Sequence, residues 1–140
     1  MKMKSTVLFG VIALLIGTHA ASAHHAFAAE YDATKPVTLT GKVTKIELIN
    51  PHGWLYIDAV GPDGKMANWR VETNGPNALL RRGWRKDTVQ IGFDVVVQGF
   101  LAKDGSHTAN GTSVTLPNGQ KLFVGSSGSP GDPSAAAKPK

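Results

Sequence analysis

A period-two alternation of apolar and polar residues begins at Val37, and it narrows the possible folds more than any other feature. Val37, Leu39 and Val43 alternate with threonine and lysine, as expected for a strand with one buried face. The next apolar residues, Ile46 and Leu48, fall one position out of phase. A one-residue shift inside a continuing strand is what a β-bulge produces. The sequence therefore predicts a long first strand that bends.

Further alternating segments, bounded by turn residues, follow along the chain. They predict strands at Trp54–Val60, Asn68–Thr73, Asp94–Ala102, within Thr108–Leu116, and at Lys121–Val124. A short helix is predicted at Ala78–Arg82, where Gly83 stops it. This order predicts an all-β fold with small α content: a five- to six-stranded OB-like antiparallel barrel with one short helix between strands 3 and 4. The alternative is a plain antiparallel sandwich, which would not need that helix.

The first 23 residues are typical of an export signal. Two lysines precede an apolar run over residues 7–16 and the small residues Ala21-Ser22-Ala23. The run is too short for a membrane-spanning helix, which needs about 20 apolar residues. Cleavage after Ala23 is favoured, and cleavage after Ser22 or Ala28 remains an alternative. We expect a periplasmic or secreted protein with no membrane anchor after cleavage.

Composition limits what the exported chain does. Removing 23 of the 140 residues leaves 117, with 13 Lys and Arg against 10 acidic residues and a net charge of +3. This mild charge supports solubility and predicts no nucleic-acid partner. The absence of cysteine excludes disulfides, thiolate metal sites and a lipobox anchor.

The mature chain divides into three parts. Residues 24–36 are expected to form an N-terminal arm, and residues 37–124 the OB-like domain. Residues 125–140 are dominated by Gly, Pro, Ser and Ala, so they cannot bury enough apolar surface to offset their ordering entropy. We predict that this tail is disordered.

Several motifs resemble an uncharacterised family of small exported bacterial proteins. They include His24-His25-Ala26-Phe27, Asn50-Pro51-His52-x-Trp54 and Asp104-Gly105-Ser106. The resemblance extends from about His24 to Gly125, with a departure at Gly92-Phe93-Asp94 that affects only the entry to the fourth strand. It implies an exported domain and brings no catalytic residue with it.

Histidines suggest a metal-binding function. With cleavage after Ala23, His24 would offer its α-amine and imidazole to one Cu(II) or Zn(II) ion, with His52 as third ligand and His107 or His25 in reserve. The loops between strands 1 and 2 and between strands 4 and 5, which hold His52 and His107, belong to one ligand-binding region in OB folds. The competing interpretation is that four histidines are an ordinary number and that these ones only occupy turns and an arm.

A second hypothesis is a metal-free module that binds a protein or carbohydrate partner through the face of strands 2 and 3. If Leu55 faces the core, Trp54 and Tyr56 face outward beside Arg70. The favoured alternative is that Trp54 packs under the arm through Phe27 and Tyr31. The unknown partner would be a periplasmic protein or a small ligand.

Catalysis has little support in the sequence. No nucleophile motif is present, and the carboxylates are spread over strands and turns without a recognisable pair. We expect a protein that is not an enzyme.

Overall fold

A computed structural model describes residues 26–126 and 129–131. The predicted signal peptide, His24 and His25 lie outside the described residues. The described chain contains two short helical segments and six strands. In chain order they are α1 (residues 26–30), β1 (Tyr31–Ile49), β2 (His52–Val60), β3 (Met66–Asn74), α2 (Pro76–Arg81), β4 (Asp94–Ala102), β5 (Thr108–Thr115) and β6 (Lys121–Phe123).

The strands close into a ring. Antiparallel pairs join β3 to β2, β2 to β1, β1 to β4 and β4 to β5, and a short parallel pair between β3 and β5 completes the circuit. β6 adds to β5 outside this circuit. The predicted fold class is confirmed: a mostly antiparallel OB-like strand arrangement with a short helix, α2, between β3 and β4.

The long first strand lets one segment pair on two sides. Residues 36–42 pair with β4, whereas residues 41–49 pair with β2. The pairing with β2 shifts between Val43 and Lys45, which confirms the bulge predicted from the change of phase. Gly41 lies where β1 and β2 approach closely, because a Cβ added there would lie 2.1 Å from the backbone oxygen of Asp58. Only glycine fits this bend without movement of the backbone.

The ring is filled by apolar side chains from every strand of the circuit. Leu39, Ile57, Val71 and Val97 are completely buried. Trp69 and Trp84 are also buried. The inward positions of β2 are Leu55, Ile57 and Ala59, so Trp54 and Tyr56 point to the other side, as predicted.

Several boundaries differ from expectation. β1 begins at Tyr31 instead of Val37, because Tyr31 pairs with Ala102 before the register shifts at Pro36. β2 begins at His52 instead of Trp54, since His52 pairs with both Ile49 and Asn74. His52 is therefore a strand residue at the edge of a turn.

The start of the predicted disordered tail is packed. Ser129 is buried, and its hydroxyl donates to Oδ1 of Asn110 at 3.1 Å. The backbone oxygen of Gly125 accepts from the Arg82 guanidinium at 2.6 Å. In these described residues, small polar groups satisfy polar groups of the folded domain. Residues 132–140 lie outside the description.

Candidate functional site: the outer face of β2 and β3

Six side chains form two rows across β1, β2 and β3 on the side away from the core, and we call this set the outer face. The strand register aligns Lys45 with Tyr56 and Tyr56 with Arg70 in the first row. The second row aligns the remaining three residues, which are Glu47, Trp54 and Glu72. Alternation along each strand places these residues on one face because their neighbours fill the core.

Arg70 and Trp54 form the central contact of the outer face. The guanidinium carbon of Arg70 lies 3.8 Å from the centre of the Trp54 ring. Trp54 is half-buried and Arg70 is exposed. Among the described residues Arg70 forms no ion pair with a carboxylate. A stacked guanidinium keeps its planar set of donors free for a carboxylate or phosphate.

Tyr56 is held by a small charged network. Its hydroxyl donates to Oε2 of Glu47 at 2.9 Å, while the Lys45 ammonium lies 2.6 Å from Oε1 of Glu47 and 5.0 Å from the Tyr56 ring centre. The hydrogen bond from Lys45 and, to a smaller extent, the hydrogen bond from Tyr56 lower the pKa of the Glu47 carboxyl. Burial and, to a smaller extent, the hydrogen bond to Glu47 raise the pKa of Tyr56. These contacts fix the orientation of the ring.

Glu72 is a buried carboxylate with two partners. Only 8 % of the residue is exposed. Its Oε2 accepts a bond of 2.5 Å from the Tyr31 hydroxyl, and its Oε1 lies 3.1 Å from Nδ1 of His52. Burial and, to a smaller extent, the hydrogen bond to Glu72 raise the pKa of Tyr31 far above its usual value. A carboxylate this well buried needs such partners, because an unpaired buried charge is costly.

The N-terminal segment packs beside this carboxylate. The Phe27 ring centre lies 5.7 Å from that of Tyr31 and 5.9 Å from that of Phe100. The ring contacts of the segment are therefore with Tyr31 and Phe100, whereas Trp54 is covered by Arg70. The described ring contacts pair Trp54 with Arg70 and not with Phe27 or Tyr31, so packing of Trp54 under the arm stays a prediction.

A cleft of about 430 Å³ adjoins the outer face at Arg70. One wall is the N-terminal segment, with Glu30 and Tyr31, and the other is the turn that carries Lys103 and Ser106. Lys103 donates to the backbone oxygen of Ala28, so it ties the two walls together. The cleft brings an exposed guanidinium to the edge of a concave surface.

The described histidines are not brought together. His52 lies opposite Asn74 on β3, whereas the His107 ring lies 5.2 Å from that of Trp69. Trp69 and Asn74 are five positions apart on β3, roughly 16 Å at about 3.3 Å per residue. The parallel pairing of β5 with β3 causes this separation, because it carries the start of β5 to the middle of β3. The register therefore separates His52 from His107 along β3. A shared ligand set, which also includes His24 and His25 outside the described residues, stays a prediction.

No group of three or more His, Cys, Asp or Glu side chains that could hold a metal ion occurs within the described part of the chain. His24 and His25, the other predicted ligands, lie outside it. A metal site would therefore need donors from beyond the described residues.

The structure unites the predicted ligand-binding residues Trp54, Tyr56 and Arg70 and adds two that the sequence did not reveal. Strand alternation gives Glu72 only the outward parity of Arg70, and Tyr31 enters the sequence analysis only as an aromatic of the arm. Their pairing joins residues 41 positions apart, and no local pattern reports such a contact. The one signal in the sequence was the position of Glu72 on a strand between Val71 and Thr73. All three residues are buried in the structure.

Fold and site together define a small OB-like domain with an aromatic and charged outer face. The chain belongs to a family of unknown function, DUF6152, whose sequence model matches residues 13–113. That match confirms the resemblance to an uncharacterised family, and the matched range spans the His-His, Asn-Pro-His and Asp-Gly-Ser motifs. Comparison with curated proteins and with solved structures finds no significant match. In the described residues, no helix has the length and apolar character needed to cross a membrane.

Proposed function

We propose that this protein is an exported, non-enzymatic binding module whose outer face recognises a carboxylate-bearing segment of a partner protein. The observation that carries the proposal is the Arg70 guanidinium stacked 3.8 Å from the Trp54 ring centre without a carboxylate partner among the described residues. Stacked arginine and tryptophan are the side chains most enriched where binding energy concentrates at protein interfaces.

The ring contacts favour an acidic protein segment over a carbohydrate. A sugar needs an open aromatic face, but Arg70 occupies one face of Trp54 and the Lys45 ammonium lies over Tyr56. On those faces a carbohydrate would have to displace a cation from each ring. An acidic segment instead meets a fixed donor group at Arg70. The adjoining cleft, which Lys103 lines together with Glu30 and Asp104, leaves room for the rest of the segment.

The periplasm or the extracellular space is the proposed location. Support comes from the predicted signal sequence, in which two lysines precede the apolar run over residues 7–16 and the small residues up to Ala23. N-terminal sequencing of the exported protein tests this part independently of ligand binding.

Binding is tested with a fluorescent hexaglutamate peptide and anisotropy at low and physiological salt. We expect saturable binding with quenching of Trp54 fluorescence, and a loss of at least tenfold in affinity for Arg70→Gln, about 1.4 kcal/mol. Arg81→Gln removes the same charge from exposed α2 and serves as the matched control. Equal losses in the two variants would show nonspecific charge attraction and reject the proposal. Binding of neutral chitohexaose in place of the peptide would favour a carbohydrate ligand.

A further inference from the structure

We propose that a second cleft, at one end of the strand ring, binds a small carboxylate that carries an aromatic ring. We call it the end cleft: it has a volume of about 240 Å³, and its lining includes Trp69, Leu101 and His107. Lys35 and Lys103 bring positive charge to the same lining. The proposal goes beyond partner binding on the outer face and does not depend on it.

The end cleft is lined by a buried donor that lacks an acceptor. Within the described part of the chain, Nε1 of Trp69 has no hydrogen-bond partner, and only 3 % of the residue is exposed. Native structures rarely leave a buried N–H unpaired. Because an indole nitrogen only donates, the missing partner is an acceptor. A carboxylate oxygen is among the strongest acceptors that a ligand can supply.

The edge of the indole that carries Nε1 lies against a wall of the end cleft. A Cβ added at Gly61 would lie 2.7 Å from Cζ2 and 3.3 Å from Cε2 of Trp69, and Cε2 is the ring atom bonded to Nε1. Gly61 begins a turn whose next two residues, Pro62 and Asp63, line the end cleft. Residues 62–65 are exposed, so a small outward shift of this turn lets an acceptor in the cleft reach Nε1.

The apolar part of the lining favours a planar ring on the ligand. The ring centres of Trp69 and His107 lie 5.2 Å apart, and the two planes are tilted by 60°. Aromatic rings pack on one another in offset or tilted arrangements at about this distance, so this pair can accept a third ring beside Leu101. The volume of about 240 Å³ is below the roughly 300–1,000 Å³ of pockets for drug-sized ligands. The occupant is therefore a small molecule.

The charges of the lining are compatible with a carboxylate. Two ammonium groups, those of Lys35 and Lys103, accompany the carboxylate of Asp63. Lys103 is held by the neutral backbone oxygen of Ala28. Lys35 lies 3.9 Å from the carboxylate of Asp32, and 63 % of its side chain is exposed. Because an exposed ion pair of this kind contributes little, Lys35 is able to turn to the carboxylate of a ligand instead.

The test is a titration of the ¹⁵N-labelled chain without its predicted signal peptide, with sodium benzoate as the probe and ¹H–¹⁵N correlation spectra as the readout. The chain has three tryptophans, so its indole N–H signals are few and are assigned by triple-resonance experiments. We expect the Trp69 indole signal to move downfield and saturate, with a Kd of about 1 mM or below. The amide signals of residues 62–65 should move with it.

Two variants at exposed positions leave the core intact and test the lining. His107→Ala removes one ring and should weaken benzoate binding about three- to tenfold. Lys35→Gln should weaken it about two- to fivefold. Lys86→Gln removes the same charge from an exposed position that is outside the lining, and it is the matched control. Benzyl alcohol keeps the ring but lacks the carboxylate, so it should bind at least tenfold more weakly than benzoate.

Several results would overturn the proposal: no saturable shift at Trp69, a shift confined to the Trp54 indole, or equal binding of benzyl alcohol and benzoate. Equal losses in Lys35→Gln and Lys86→Gln would do so as well. Arg70→Gln should leave the benzoate titration unchanged, and His107→Ala should leave hexaglutamate binding unchanged. The end cleft and the outer face are therefore tested separately.

Discussion

The two faces of β2 and β3 belong to the same strands but are built on different principles. The inner face consists of apolar side chains such as Ile57 and Val71, which have no exposed surface. The outer face consists of paired groups: Arg70 on Trp54, and Glu72 between Tyr31 and His52. The stability of the inner face depends on the volume of its apolar side chains, whereas that of the outer face depends on the chemical identity of each paired group. Substitutions should therefore act on the two faces in different ways.

The largest effect is expected on the inner face. Ile57→Ala removes buried methyl and methylene groups and leaves a cavity, so it should lower the free energy of unfolding by about 2–5 kcal/mol in urea denaturation. Val60→Ala, in the same strand at a position that is 48 % exposed, is the control and should change stability by less than about 0.5 kcal/mol. Similar losses in both variants would contradict the division into faces.

The next effect concerns the buried carboxylate. Tyr31→Phe leaves Glu72 without one of its partners, so it should lower the free energy of unfolding by about 1.5–3 kcal/mol. Tyr56→Phe removes the corresponding hydroxyl from Glu47, which water reaches more easily, and should cost about 1 kcal/mol or less. Urea denaturation of both variants measures the difference. An equal cost would mean that burial of Glu72 adds nothing to the bond from Tyr31.

Alkaline pH provides a third comparison. Because the folded state raises the pKa of Tyr31 above its ordinary value of 10.0, the folded state favours the protonated phenol. Its contribution to stability is complete below pH 10 and declines as the pH rises above that value, by up to about 1.4 kcal/mol per pH unit. The midpoint temperature of thermal unfolding should therefore fall more steeply between pH 9 and pH 11 for the native chain than for Tyr31→Phe. Parallel curves would contradict the shift.

The smallest effect is expected at the exposed cation. Arg70→Gln removes the guanidinium from the Trp54 ring and should cost about 0.5–1 kcal/mol of stability, as for exposed cation–π pairs. The fluorescence of Trp54 should change at the same time. Because the chain has three tryptophans, the signal of Trp54 is obtained by subtracting the spectrum of a Trp54→Phe variant. A stability loss above about 2 kcal/mol would mean that Arg70 supports the fold, and partner binding would then need another explanation.

Sequence periodicity was sufficient for much of the fold. The phase change after Val43 predicted the bulge, and the alternation in β2 predicted which side chains face the core. The boundaries were less accurate, since Tyr31 pairs with Ala102 and His52 with Asn74, both far along the chain. Pairing of that kind depends on partners far along the chain and leaves no local pattern.

The candidate site divides in the same way. Trp54, Tyr56 and Arg70 share one face by strand alternation, so their proximity could be predicted from the register of a hairpin. The positions of His52 and His107 could not, because the parallel pairing of β3 with β5 sets the distance between them. Loop position in a fold class does not specify which loop residues meet.

What the sequence determined by itself was local: the alternating strands, the bend in β1, the short α2 and the side of β2 that carries aromatic residues. Closure of the ring and the pairing of Tyr31 and His52 with Glu72 were decided only by the tertiary structure. The physical reason is that alternation is a property of neighbouring residues, whereas the burial of a carboxylate depends on partners brought from elsewhere in the chain. Glu72 takes its character from those partners.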